Sequence, residues 1–444
     1  MSSARSPKQR PYQIAGSEFL RSAGRAILAD EPGLGKTNQL LKAAEGRTLV
    51  LSPAALSDVW SEEIETWAPD ADITWTSYSS LVQRVEDKKG RKTIATPNLR
   101  PEYGGRWDTV ICDEAHYLKN RGTNWTKAMV KANTDRLYLA TGTPLPNWGH
   151  EIFSFLRLLH PKDRRFTNYW NWVNEWFRTW NPPWGGTEIR GLQRGVTWDE
   201  AAEAWGLPGR WLRREMDEVL PDLPPMTMQT ILVKMTPKQA TVYNKLKKDY
   251  TAVLPDTGNE LVLWDGGGLH TKLLQASTGL GTLELGNKGS GKLDAVKELL
   301  MERTRPTILF CAFKNTAESL VELVQGMGRS YGVVSSAYSM ADRKGAIAAF
   351  RGGKTEVMIG TVGTLSEGVT LTQADTCIFV ERSPRPITNE QARRRIRRFG
   401  QERPTLSIDL VTEGTVDDGL SQLLAKKVED RDLALTGFQL AALA

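Results

Sequence analysis

A chain of 444 residues is long enough for two or three domains of ordinary size, and its 40% hydrophobic and 25% charged residues exclude intrinsic disorder. No apolar run approaches the roughly 20 residues that a membrane span requires. The net charge of +6 and pI near 9.0 permit a polyanionic partner without establishing one.

The opening MSSARSPKQRPYQ is basic but has no apolar stretch after it, which argues against a signal peptide. Cys112, Cys311 and Cys377 sit singly inside apolar runs, so neither a disulfide framework nor a zinc knuckle is expected, and a reducing cytoplasm fits. Four apolar runs separated by helix-period segments follow: RAILA from Arg25, TLVLS from Thr48, TVICD from Thr109 and RLYLATGT from Arg136. Strands this apolar imply a parallel sheet covered on both faces. After the first of them comes Asp30-Glu31-Pro32-Gly33-Leu34-Gly35-Lys36-Thr37, opening a predicted helix. Strand, glycine loop and helix form the context of a phosphate-binding loop, in which Gly33, Leu34 and Gly35 turn backbone N–H groups toward phosphate. Lys36 is suited to reach the β- and γ-phosphates of ATP, and Thr37 to ligate Mg²⁺. Asp30 stands where the strict pattern has glycine, so an ordinary glycine turn is the alternative.

At the end of the TVICD strand stand Asp113-Glu114-Ala115-His116. Asp113 can hold Mg²⁺ through its water shell, and Glu114 can polarise the water that attacks a γ-phosphate. The chain has only four histidines, His116, His150, His160 and His270, which disfavours a zinc site.

Residues 161–225 differ in character. Eight of the fifteen tryptophans lie between Trp170 and Trp211, and a small helical insertion is expected. Tyr169, Trp172, Trp176 and Trp180 recur at helical spacing, which reads as a core-facing stripe; the alternative is an aromatic platform for bases. Pro255–Lys292 is glycine-rich and expected to be looped at its tip, with Gly289-Ser290-Gly291-Lys292 a loop before a helix. A second α/β unit then follows in TILFCAF, YGVVSSA, EVMIGT, TCIFVE and LSIDLV, from Thr307, Tyr331, Glu356, Thr376 and Leu406. In QARRRIRRFGQ, Gln391, Arg395 and Arg398 (i, i+4, i+7) fall on one stripe of a predicted helix, with Arg393 and Arg397 pointing away. A phosphate-gripping patch does not need that selection; a site taking one amide and two guanidinium groups does.

These segments, in this order, resemble the superfamily 2 helicase-like ATPases and specifically the Swi/Snf-type DNA translocases, from Arg10 to about Leu424. RPYQ (Arg10–Gln13) looks like the adenine-reading entry motif and ILADEPGLGKT like the family's phosphate loop, where Asp at position 30 is usual. LSPAALSDVWSEEIETW resembles a motif that contacts nucleic-acid backbone, which implies roles for Ser52 and Pro53. TGTPLPN resembles the motif coupling ATP to DNA, implying His116, Thr141, Gly142 and Thr143. WLRREMDEVLPDLPP (Trp211–Pro225) is similar to a segment peculiar to Swi/Snf-type proteins, and GTVGTLSEGVTLTQADTCIF and QARRRIRRFGQ close the likeness. Pro32 replaces the usual methionine, Leu365-Ser366 the glycine pair before Gly368, and Thr370 the common asparagine.

The resemblance implies an α/β protein of two RecA-like lobes with parallel sheets, residues 1–160 and 226–444, plus the 161–225 insertion. It implies ATP and Mg²⁺ as cofactors and double-stranded or branched DNA as partner. Arg10, Gln13, Gly33, Leu34, Gly35, Lys36, Thr37 and Gly368 are the expected nucleotide contacts. Lys36, Asp113, Glu114, Gln391, Arg395 and Arg398 are the expected catalytic set, the two arginines reaching the γ-phosphate from the second lobe. The implied activity is ATP-driven translocation on duplex DNA by a bare motor, in the style of compact phage forms and small fork-remodelling enzymes. The alternatives are a fork-remodelling, annealing or strand-separating helicase, and a DNA-binding ATP switch or subunit of a restriction or nuclease complex.

Overall fold

Apolar runs flanked by amphipathic helices do pair into parallel sheets. In a computed structural model, residues 8–86, 93–145, 149–183, 185–249, 251–253, 260–262, 266–283, 289–365 and 370–443 are described. They form two units, Met1–Pro221 with Lys427–Ala444, and Asp222–Lys426.

The first unit holds a six-stranded sheet in the order Trp211–Leu212, Arg25–Leu28, Asn133–Ala140, Arg106–Asp113, Thr48–Ser52, Ile73–Ser77, with every neighbouring pair parallel. Its register aligns Leu28 with Ala140 and Leu212, Asp113 with Ala140, and Cys112 with Leu51. The phosphate loop, Ser52-Pro53, Asp113-Glu114 and Thr141-Gly142-Thr143 therefore all leave the carboxyl edge of one sheet. In open α/β sheets that edge is where ligands bind.

The insertion is only partly helical. Tyr169–Trp176 is a helix, but the chain then turns into an antiparallel hairpin, Phe177–Trp180 with Glu188–Leu192. Trp180 thus lies on a strand with Arg190 stacked over its ring, 4.0 Å from the centroid, and not on the predicted helical stripe. Trp172 does face the core, 1% exposed, with Phe153, Phe177 and Trp205 rings 5.1–5.2 Å away. Phe438, on the last helix (Val416–Leu443), completes this aromatic core edge-on to Trp211, Trp198 and Trp205. The terminal turns of that helix accordingly group with the first unit. A second hairpin, Val82–Glu86 with Thr93–Leu99, has no counterpart in the sequence reading.

The second unit repeats the architecture, ordered Met226–Val233, Thr405–Thr412, Thr376–Phe379, Thr307–Cys311, Val357–Thr361, Tyr331–Val334, again parallel throughout. The glycine-rich stretch within it contains a helix, Gly266–Thr278, while its tip lies outside the described residues. Lys292 is not a loop residue. It sits in the helix Gly291–Met301, 1% exposed, its ammonium 2.8 Å from the Asp417 carboxylate and donating to the Val380 carbonyl. All three cysteines are free and buried. Among the described residues no helix is long and apolar enough to cross a membrane.

Candidate functional site

Two glycines shape the phosphate loop. Gly33 (φ 97°) and Gly35 (φ 68°) occupy left-handed backbone that side chains rarely adopt, and Gly35 caps the helix Lys36–Ala43. A Cβ on Gly35 would lie 2.5 Å from Gln13 Nε2, so the loop approaches Gln13 closely. Gln13 Nε2 donates to the Leu34 carbonyl at 3.3 Å, while its Oε1 accepts the Arg10 N–H at 2.9 Å. The entry motif thus packs on the loop it resembles a partner of. Lys36 Nζ folds over the loop backbone, 2.8 Å from the Asp30 carbonyl and 3.2 Å from that of Glu31. Thr37 follows it, half-buried at the helix start.

Asp113 ends its strand buried, with Oδ1 accepting the Glu114 N–H at 2.9 Å and Oδ2 accepting the Trp60 indole N–H at 3.0 Å. Tyr78 OH holds the Asp113 carbonyl at 2.7 Å. Burial, then the neighbouring Glu114, push the Asp113 carboxyl up to about 6, opposed by the Trp60 hydrogen bond and the Lys36 charge. A buried carboxylate so disfavoured as an anion is suited to a cation. Asp113 and the Thr37 hydroxyl are hard oxygen donors, the type Mg²⁺ takes when water and phosphate complete its shell. Among the described residues no group of three or more His, Cys, Asp or Glu could hold a metal on its own.

Glu114 is the only non-glycine described residue with positive φ (48°). Such backbone costs of order 1–3 kcal/mol and persists where the surroundings over-determine it. It aims the carboxylate along a polar chain: Glu114 Oε2 lies 3.2 Å from His116 Nδ1, which lies 3.3 Å from Thr141 Oγ1, itself 3.2 Å from Thr143 Oγ1. Gly142 between them packs on the loop, since an added Cβ would stand 2.6 Å from Pro32 Cγ. Ser52 and Pro53 are both buried, and Ser52 Oγ accepts the Trp75 N–H at 2.9 Å.

The second unit corrects the reading of QARRRIRRFGQ. Its helix, Pro386–Arg393, stops before Arg395, so Gln391, Arg395 and Arg398 do not share a helical face. Beyond it the chain tightens to i−3 bonds, Arg395 N–H to the Ala392 carbonyl and Ile396 N–H to that of Arg393. The Arg395 and Ile396 carbonyls are taken by the Leu371 N–H at 2.9 Å and Gln401 Nε2 at 2.8 Å. Arg395 is 5% exposed, and Arg398 Nη1 donates to Thr370 Oγ1 at 3.0 Å. The arginines between Gln391 and Arg398 are held by partners within the unit. Arg393 binds both Asp409 oxygens at 2.8 and 2.6 Å, Arg394 pairs with Glu390 at 2.9 Å, and Arg397 Nε donates to the Pro224 carbonyl. Gly368 lies outside the described residues.

Trp60 and Tyr78, which hold Asp113, and Gln39 and Arg214, which hold Asp30, are not singled out by the sequence. Their roles come from contacts across 53, 35, 9 and 184 positions, which no local spacing reveals.

Comparison with known proteins adds independent findings. Residues 12–278 match the model of the SNF2-related domain, and residues 291–400 that of the helicase conserved C-terminal domain. The chain is 25% identical over 94% of its length to the CHD3-type chromatin-remodeling factor CHR7 of Arabidopsis thaliana, covering 36% of that protein. It is 26% identical over 97% of its length to the human DNA annealing helicase and endonuclease ZRANB3, covering 40% of it. The chain thus spans about two fifths of the length of these relatives. A solved structure of the Sulfolobus solfataricus SWI2/SNF2 ATPase core in complex with dsDNA is 20% identical, with 99% of this chain and 96% of that chain covered, at a TM-score of 0.39.

Proposed function

Because the chain belongs to the SNF2-related family of Swi/Snf-type helicase-like ATPases, we propose that it hydrolyses ATP in a DNA-dependent manner and uses the cycle to move along double-stranded DNA. One observation carries this reading: the loop bearing Lys36, the Asp113–Glu114 pair and the His116–Thr141–Thr143 chain leave one carboxyl edge, with Gly142 packed closely on Pro32 of the loop. Backbone N–H groups of Gly33–Thr37 bind the phosphates, Lys36 neutralises them, and Glu114 takes the proton of the attacking water. Thr37 and Asp113 would hold Mg²⁺, which would supply charge neutralisation to the phosphates. We assign Arg395 and Arg398 a guanidinium contribution to hydrolysis, which for such groups is about 10³–10⁵ in rate. Any change at Glu114 reaches Thr141 and Thr143 through His116, which gives hydrolysis a path to a DNA-contacting motif. DNA held by its backbone predicts sequence-tolerant, salt-sensitive binding.

Displacement of a third strand from a DNA triplex separates movement from unwinding. The translocase reading expects ATP-dependent release of the third strand with the underlying duplex intact. Unwinding of forks without triplex release would instead favour the fork-remodelling reading, to which the ZRANB3 similarity lends support. Hydrolysis with neither outcome would leave a DNA-binding ATP switch.

A further inference from the structure

Asp30, the residue that breaks the strict phosphate-loop pattern, is fully buried and engaged on every side. Arg214 grips it with both arms of its guanidinium, Nε to Oδ1 at 3.0 Å and Nη2 to Oδ2. The same Nη2 donates to Gln39 Oε1 at 2.7 Å, and Nη1 donates to the Tyr12 carbonyl. Gln39 in turn donates to Asp30 Oδ2 at 3.1 Å and to the Leu34 carbonyl at 3.3 Å. One side chain thereby ties the entry helix, the start of the loop and the helix that follows it. The backbone beside it does the same: Ala29 N–H donates to the Leu212 carbonyl at 2.7 Å and Glu31 N–H to that of Arg214 at 3.1 Å. Glu31 Oε2 closes the lacing by accepting the Met216 N–H at 2.8 Å. The space is so filled that a Cβ on Gly16 would fall 1.9 Å from Gln39 Oε1 and 2.8 Å from Arg214 Nη2.

We propose that Arg214 is a positioning residue for nucleotide binding, holding the phosphate loop in its ligand-ready shape through Asp30 and Gln39. The inference rests on the reading of Gly33–Thr37 as the phosphate loop. Loop glycines allow many backbone conformations, so something outside the loop must select one. The planar, always charged fork of Arg214 makes four hydrogen bonds here, to both oxygens of a carboxylate, an amide and a carbonyl, one more than the three N–H groups of a lysine can make. The C-terminal end of the tryptophan-rich insertion thus controls the loop 184 residues before it.

The test uses the full chain. Affinity for a fluorescent ATP analogue is measured without turnover, beside KM and kcat for hydrolysis, duplex affinity and thermal midpoint. Arg214→Lys and the charge-neutral pair Asp30→Asn with Arg214→Gln are expected to weaken analogue binding and raise KM by about tenfold or more. Duplex affinity should stay within about threefold, and the loss in analogue affinity should exceed any loss in kcat, because the loop already grips phosphate in the ground state; a displacement of about 1 Å can cost up to 10²-fold. Arg214→Lys keeps the charge and carries the test if the double variant does not fold. A lowered thermal midpoint with unchanged analogue affinity in folded protein would overturn the proposal and leave Arg214 a purely structural anchor. Lys36→Ala, measured alongside, separates the two readings: if it leaves analogue binding and hydrolysis intact, the phosphate-loop assignment itself is wrong.

Discussion

Replacing Lys36 with alanine is expected to lower DNA-stimulated ATP hydrolysis by about 10²–10³-fold, the effect of removing one preorganised charge-stabilising group. The ammonium is anchored where the helix Lys36–Ala43 begins, pinned by the Asp30 and Glu31 carbonyls at 2.8 and 3.2 Å. Those contacts set its position before any phosphate arrives, so little reorganisation is required as charge develops. The side chain also lowers the Asp113 carboxyl against its burial, so alanine weakens the site twice. Steady-state phosphate release with duplex DNA is the measurement, with the thermal midpoint as a folding control. Retained turnover in a folded protein removes Lys36 from the chemistry.

Glu114→Gln separates binding from chemistry. The amide is nearly isosteric, so the left-handed backbone at φ 48° and the N–H bond to Asp113 Oδ1 should survive. What is lost is the carboxylate that takes a proton from water, a role worth about 10²–10⁴ in rate. kcat is therefore expected to fall by that factor while ATP and DNA affinities hold, read by single-turnover hydrolysis beside equilibrium binding. Normal turnover would reassign the water-polarising role.

Strands that are apolar on both faces announce themselves by composition alone. The runs starting at Arg25, Thr48, Thr109 and Thr307 therefore emerge as sheet strands close to where they were expected. Met226–Val233 did not, since it is an edge strand whose middle residues are exposed and polar or methionine. Asp113 and Lys36 stand at the strand end and the helix start where they are expected, because strand, glycine loop and helix are local patterns. The arginine stripe was misread because periodicity assumes a continuous helix. Ile396 is buried and its carbonyl bonds Gln401, so tertiary demand overrode the helical pattern. Phe438 shows the same limit from the other side: nothing in its neighbourhood tells which aromatic core it will join.

The most direct measurement is ATP hydrolysis with no nucleic acid, single-stranded DNA, duplex, fork and RNA side by side, for the unmodified chain and Arg398→Ala. The expected result is low basal turnover, strong stimulation by duplex, and a flat response in Arg398→Ala despite duplex affinity that is largely kept. Turnover equal with and without DNA, or an Arg398→Ala variant that loses duplex affinity yet hydrolyses normally, would contradict it.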